Sequence, residues 1–524
     1  MSKMLKSSGA MAAATLLSRV LGMVREMVYT SFMGTTATAD AFNLAFKIPN
    51  LFRRLLGEGA LTAAFIPIFK NKEKTAGVAE MWRSANAVIS GLLVAGSALC
   101  AAAMIGITIA LPLLQGSIEP STDLMLRLLR IMFPYLLLVC LAAIFIGILN
   151  ARGHFFIPAL GAVALNLVMI AVVWLLVPHF GKDLPHQVFA LAWGVLIAGA
   201  VQMAFQLPTL IKEGFKPRWI SPWNEPTVRD VVRKMIPGTI GVASFQINVL
   251  VTDVLAMWTG DGLVAAFSSA VRLMELPQGV FGISLATYLL PTLAGLAAEK
   301  KFPEFRKTVA EGVTHLVFVN VLATVFLVLL AEPIVRLLFE RGRFDAISTS
   351  MASSALAALA PGLIAFSLVN ILARAFYALG DMRTPMRISI FCLVVNLALT
   401  AALIIPFRQV GMGLANSASA LLNVALLAFA LKKKLGHLEW AEVRRPLLRL
   451  ATAGAAAGLV AWALMRFSEA RFGTAGLWPR VAAVFLPMTV ATAVYFGVAL
   501  LLRVPAAKEV VSLLIGRFRR KPTA

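Results

Sequence analysis

The chain has 524 residues, 60% of them hydrophobic and 14% charged, with a formal net charge of +23 at pH 7 and a mean hydropathy of +0.85. Soluble domains run at about half apolar and about a quarter charged, so this composition excludes one and points to an all-α polytopic membrane protein. The basic excess does not signal nucleic acid, because the cations sit mostly between apolar runs, where topology signals sit.

About fourteen transmembrane helices are expected, at 9–33, 39–69, 84–113, 126–150, 156–177, 187–211, 231–257, 262–292, 309–332, 350–378, 387–406, 411–431, 447–466 and 480–502. Polar or Gly/Pro-rich pieces such as GTTATAD, KNKEKTAG and EKKFPEFRK part them. Lys3 and Lys6 precede the first span without a small-residue cleavage site, so it reads as a helix and not as a signal peptide. Its middle holds Arg19, Arg25 and Glu26, which with Gly22 share an arc of roughly 120°. The second span must run from near Asp40 to near Lys70, about 45 Å at about 1.5 Å per residue. That leaves Lys47, Arg53, Arg54 and Glu58 deep, on a helix interrupted by Pro49, Gly57 and Gly59.

After the sixth span, residues 212–234 form the longest polar link of the first half and read as the join between two lobes. The seventh carries Gln246, Asn248 and Asp253. With Asn396 and Thr400 of the eleventh and Asn416 of the twelfth they make a candidate cation site, chiefly Asp253, Asn396 and Thr400. Ordinary interhelical hydrogen bonding is the alternative. The eighth span holds Arg272 and Glu275 beside Pro277, Gly279 and Gly282. Cys100, Cys140 and Cys392 lie inside apolar helices as small core side chains. His154, His179, His186, His315 and His437 scatter near span ends without metal-ligand spacing. No catalytic residue, metal or cofactor is expected. Sodium, a proton or the membrane potential are the energy sources open to such a protein.

Lys and Arg crowd one side, at Lys70, Lys72, Lys74, Lys300, Lys301, Lys432, Lys433, Lys434, Arg444 and Arg445, which predicts that both termini are cytoplasmic. A repeat runs through the chain. Pro134, Gly153 and Pro158 recur as Pro361, Gly380 and Pro385, each 227 residues on. AFNLAFK, ending at Lys47, recurs as AFSSAVR, ending at Arg272. Six spans per repeat keep the orientation, so two parallel six-helix lobes are expected: residues 1–215 and 216–436, followed by a C-terminal pair and basic tail at 437–524.

A cation facing lipid at the middle of a bilayer costs at least a few kcal/mol, so the mid-span charges must meet water or each other. Structural ion pairs, Arg19 with Glu26 and Arg54 with Glu58, are one account. Yet Arg19, Arg25, Lys47, Arg53, Arg54 and Arg272 outnumber Glu26, Asp40, Glu58 and Glu275. A surplus of sheltered cations requires an anion, and guanidinium forks fit phosphate oxygens.

The stretches SRVLGMVRE (18–26), ATADAFNLAFKIPNLFRRLLGEGALTAAFIPIF (37–69), RLMELPQGVFGISLATYLLPTL (272–293) and ARAFYALGDMRTP (373–385) carry a resemblance to the MurJ (MviN) family of lipid II flippases. That family stands within the multidrug/oligosaccharidyl-lipid/polysaccharide exporter superfamily, and the resemblance covers essentially the whole chain. It implies transfer of undecaprenyl-pyrophosphate-linked peptidoglycan precursor across the bacterial inner membrane by alternating access, without catalysis. It implies a cationic central cavity of Arg19, Arg25, Arg53 and Arg272, with Glu26, Asp40, Lys47, Arg54, Glu58 and Glu275 supporting it. The implied partners are lipid II, membrane lipids and the cell-wall synthesis machinery, and a C-terminal helix pair takes the polyprenyl tail. Glu26 stands where many members have Asp, and Val271 stands where an acid is expected, which leaves Arg272 without an acidic neighbour before it. The rivals are an exporter of another lipid-linked sugar or a drug, an enzyme acting on undecaprenyl carriers, and a passive scaffold.

Overall fold

The computed structural model describes residues 3–52, 61–279 and 284–509, and every regular element among them is helical. In chain order these are α1 (Lys3–Met33), α2 (Ala37–Phe52), α3 (Leu61–Leu113), α4 (Pro120–Met132), α5 (Tyr135–Ala151), α6 (Phe156–Leu175), α7 (Leu184–Ala204), α8 (Leu207–Lys212) and α9 (Pro226–Thr259). There follow α10 (Leu263–Pro277), α11 (Ser284–Ala298), α12 (Phe302–Leu329), α13 (Ala331–Phe339), α14 (Ala346–Leu359), α15 (Gly362–Ala378), α16 (Arg383–Leu435), α17 (Trp440–Phe472) and α18 (Leu477–Leu501). Two compact units result. One comprises Met1–Met257 with Arg341–Arg343, the other Trp258–Glu340 with Phe344–Ala524.

Among the described residues, seven helices are long and apolar enough to cross a bilayer, or nine when each of two bent pairs counts as one span. The protein is therefore a multi-pass membrane protein. Two of those helices, α3 and α16, have 53 residues each, or about 80 Å, against a hydrocarbon core of about 30 Å. Each breaks once, α3 at Gly77 (φ 84°, ψ 173°) and α16 at Arg408 (φ 47°, ψ −128°). The halves of α16 run back along each other, since the Ser419 hydroxyl donates to the Cys392 carbonyl (2.7 Å) and Asn423 reaches Ser389 (3.5 Å). The reversal is tight. A Cβ on Gly411 would sit 2.2 Å from the Leu403 carbonyl oxygen, so only glycine fits. The spans with mid-helix charges, on α1, α2, α9 and α10, come in addition to these, and α2 and α10 have only 16 and 15 described residues. With them the helices accommodate fourteen crossings.

The 227-residue repeat is visible in the backbone of each unit. Pro134 and Pro361 each start the second half of a bent pair, α4–α5 at 45° and α14–α15 at 44°. Proline lacks the N–H that would continue the ladder. The helix after each bend closes in one turn type. Gly153 (φ +88°) precedes a His154 N–H donating to the Leu149 carbonyl (2.8 Å), and Gly380 (φ +73°) precedes an Asp381 N–H donating to the Phe376 carbonyl (2.9 Å). Each turn is then tied to the end of its unit's sixth span, with the charges exchanged. In the first, His154 and Arg152 contact Glu213 at 2.7 and 2.8 Å; in the second, Asp381 accepts from Lys434 at 2.6 Å.

The 212–234 link is not a loose join. Phe215 is buried against the Trp82 and Phe145 rings. The Asn86 amide donates to the Lys216 carbonyl and accepts from the Arg218 N–H (both 3.0 Å), and Ser90 accepts from the Ile220 N–H (3.2 Å). The segment is strapped along α3. In the second unit α17 presents Leu450, Ala453, Ala457 and Ala461 inward. Its Gly454 and Gly458 lie where a Cβ would come within 2.7 Å of Val321 and 3.1 Å of Leu329, a close approach that small residues permit. The Tyr495 hydroxyl donates to the Phe318 carbonyl (2.7 Å), binding α18 to α12.

Candidate functional site

On α1, Arg25 lies one turn before Tyr29, and its guanidinium rests over that ring, 5.6 Å from the centroid. Glu26 is 3.9 Å from the same guanidinium, and both side chains are less than a fifth exposed. The Arg25 Nε is buried with no acceptor among the described residues. Arg19, two turns earlier, is exposed and has no acid within ion-pair distance among them, so the Arg19–Glu26 pairing does not form. Ser18 is held instead through its carbonyl, which accepts from the Asn166 amide of α6 (3.1 Å).

Asp40 occupies the first turn of α2, 1% exposed, where a carboxylate opposes the positive end of the helix dipole. Lys47, two turns on, donates to Asp253 at 2.7 Å, and the Asp253 side chain is 3% exposed. The structure thus gives Asp253 an ammonium partner from within its own unit, where the sequence left a cation site and an interhelical hydrogen bond both open. With Asp253 counted, the acids on these helices rise by one and the cationic surplus shrinks. An aromatic row, Tyr29–Phe42–Phe46–Tyr135, with centroids 5.9, 6.2 and 5.8 Å apart, packs α1, α2 and α5 together, and its first ring carries the Arg25 guanidinium. Arg53, Arg54 and Glu58, like Gly57, Gly59 and Gly282, lie outside the described residues.

In the second unit Arg272 is one third exposed and pairs with Glu275 at 3.1 Å. The acid missing at Val271 is thus supplied one turn later on the same face. α10 ends at Pro277 and passes into a π turn at Gln278 and Gly279, a break of the kind found at moving or functional positions. Asn396 and Thr400, one turn apart on α16, are buried, and the Thr400 hydroxyl has no partner among the described residues. The Asn416 amide donates to the Met412 carbonyl of its own helix.

The first unit therefore shelters an arginine above an aromatic face, with an N–H unanswered among the described residues, and an exposed arginine on the same helix. The second offers a third guanidinium held in orientation by Glu275. Such groups bind anionic oxygens and do no bond-breaking chemistry by themselves. The Arg25–Tyr29 contact was available from the sequence as an i, i+4 spacing. The Lys47–Asp253 pair, 206 residues apart, carried no local signal.

The model of the family described as "Lipid II flippase MurJ" matches residues 29–483. A probable lipid II flippase MurJ of Vibrio cholerae serotype O1 is 36% identical over 439 residues, covering 81% of this chain and 82% of its own. That of Rhizobium tropici is 34% identical over 499 residues, covering 93% and 92%. Among solved structures, a lipid II flippase MurJ in an inward closed conformation superposes with a TM-score of 0.75 at 21% identity, over 93% of this chain and 98% of that one.

Proposed function

The chain belongs to the MurJ family of lipid II flippases, and we propose that it works by alternating access, with a cationic cavity receiving the diphosphate of its substrate. It is a lipid II flippase. The precursor enters from the cytoplasmic leaflet and leaves from the periplasmic leaflet of the inner membrane, both termini being cytoplasmic as the Lys/Arg bias suggests. Arg19, Arg25, Arg53 and Arg272 take the diphosphate while the polyprenyl chain stays among lipid tails. No bond of the substrate is made or broken.

One observation carries the role of the arginines: the Arg25 Nε is buried without an acceptor among the described residues, an arrangement that costs free energy unless an anionic oxygen arrives. Binding cancels repulsion between guanidinium groups and so favours a state in which they close around the ligand. The lobes, residues 1–215 and 216–436, then rock about their Pro/Gly breaks, with the 437–524 helices following the second. Lys47 with Asp253 and Arg272 with Glu275 keep the remaining charges matched in the empty state. The membrane potential supports the return step, since each charge crossing the field is worth about 2.3 kcal/mol per 100 mV and the empty cavity is drawn toward the negative interior. Neither sodium nor a proton is needed in this scheme.

Arg25→Ala tests it. In cells depleted of the native protein, the variant should insert at normal levels yet leave the precursor in the cytoplasmic leaflet, read by its accessibility to an externally added, membrane-impermeant enzyme. Normal exposure of the precursor outside would overturn the role.

A further inference from the structure

The strap at 212–234 presents a surface that substrate transfer does not use. We propose that it is a docking surface for the headgroups of anionic phospholipids in the surrounding bilayer. Its two acids nearest α3 are turned inward: Glu213 to His154 (2.7 Å) and Arg152 (2.8 Å), Glu225 to Arg83 (3.5 Å). Three cations of the strap, Lys212, Lys216 and Arg218, and three on the first turns of α9 that continue it, Arg229, Arg233 and Lys234, are exposed and have no ion pair among the described residues. One acid, Asp230, is exposed beside them.

Trp219 and Trp223 stand out of the same strap, 65% and 72% exposed. Their backbone is fixed: the strap is laced to Asn86 and Ser90 of α3, and Pro222 lies where a Cβ on Gly91 would touch it at 3.4 Å. The rings are therefore held outward. The strap joins the end of one apolar span (Leu184–Lys212) to the start of α9, and it runs beside the opening turns of another, beyond the Gly77 break. That is the depth of the membrane–water interface, where tryptophan partitions and where cations attract anionic lipid. Water satisfies neither the rings nor the unmatched cations as well as a layer of phosphate headgroups above acyl chains. Charge complementarity selects phosphatidylglycerol-like lipids over zwitterionic ones.

The full chain in neutral detergent, titrated with phosphatidylglycerol or phosphatidylcholine and followed by its thermal unfolding midpoint and by native mass spectrometry of bound lipid, tests this. Wild type should bind phosphatidylglycerol, more weakly as salt rises, and phosphatidylcholine little. The variant K212Q/K216Q/R229Q/R233Q should fold alike without lipid, since these side chains have no ion pair among the described residues. It should lose affinity by roughly fivefold per charge removed. W219A/W223A should weaken both lipids. Unchanged phosphatidylglycerol affinity in the charge variant would overturn the proposal. So would equal binding of phosphatidylcholine, or displacement of the lipid by inorganic phosphate or an acidic peptide at matching charge concentration.

Discussion

Asp381 does two jobs at the start of α16, and they can be separated. Its Oδ1 accepts from the Thr384 N–H (3.0 Å) and its Oδ2 from the Thr384 hydroxyl (2.9 Å), so it caps the first turn. Its Oδ2 also accepts from Lys434 at 2.6 Å, closing the second unit's turn against the end of α16. Losing a capping side chain costs about 1 kcal/mol. The ion pair is partly exposed, with side chains 38% and 18% accessible, so its share is about 0.5 kcal/mol. Asp381→Ala should therefore lose about 1.5 kcal/mol. Asp381→Asn, which still caps, should lose about 0.5 kcal/mol, and Lys434→Ala the same. Asp381→Lys combined with Lys434→Asp restores the attraction but not the cap, and should remain about 1 kcal/mol below wild type. Unfolding titrations in mixed micelles, run as a double-mutant cycle, give each value. Equal losses for Asp381→Asn and Asp381→Ala would refute the capping argument, and a zero coupling energy would refute the ion pair.

Other expectations follow from the same geometry. Lys47→Met should destabilise by about 3–5 kcal/mol because it strands a buried carboxylate, and adding Asp253→Asn should recover most of that; a mild single variant in a thermal-shift assay counts against a sheltered pair. Gly411→Ala forces a Cβ to 2.2 Å from a backbone oxygen, and so should lower the yield of folded protein far more than Gly106→Ala, where the space is open. For acid, the sign is set by two carboxylates. Glu213 is held below its usual value by hydrogen bonds from His154 and then Arg152, and Asp381 by Lys434 and then the Thr384 N–H. Folded values below unfolded ones mean stability present above the ordinary carboxylate range, about pH 4, and lost as pH falls below it. Wild type should lose midpoint temperature on acidification below about pH 4 more steeply than Glu213→Gln/Asp381→Asn, and parallel curves would contradict it.

The candidate site was half legible in the chain. Arg25 over Tyr29, and Arg272 with Glu275, sit at spacings that the sequence displays, because residues three or four apart share a helix face. Lys47 meets Asp253, for which the sequence left a cation site and an interhelical hydrogen bond open, so one more acid stands against the cations than the mid-span count held. The composition of the 212–234 link is that of a loop, and nothing in a polar run announces that Asn86 and Ser90 will lace it down.

What the sequence by itself determined is the set of spans and the repeat. A bilayer demands about twenty apolar residues per crossing, and the 227-residue spacing pairs Pro134 with Pro361 before any fold is known, although other prolines, such as Pro49 and Pro487, stand inside helices without ending them. Only the tertiary structure decided which charges meet: Lys47 with Asp253 across 206 residues, Glu213 with His154 across 59, and Lys434 with Asp381 across 53. Hydropathy and turn chemistry act over a few residues, whereas a salt bridge depends on where whole helices lie, and the linear order of residues does not encode that distance.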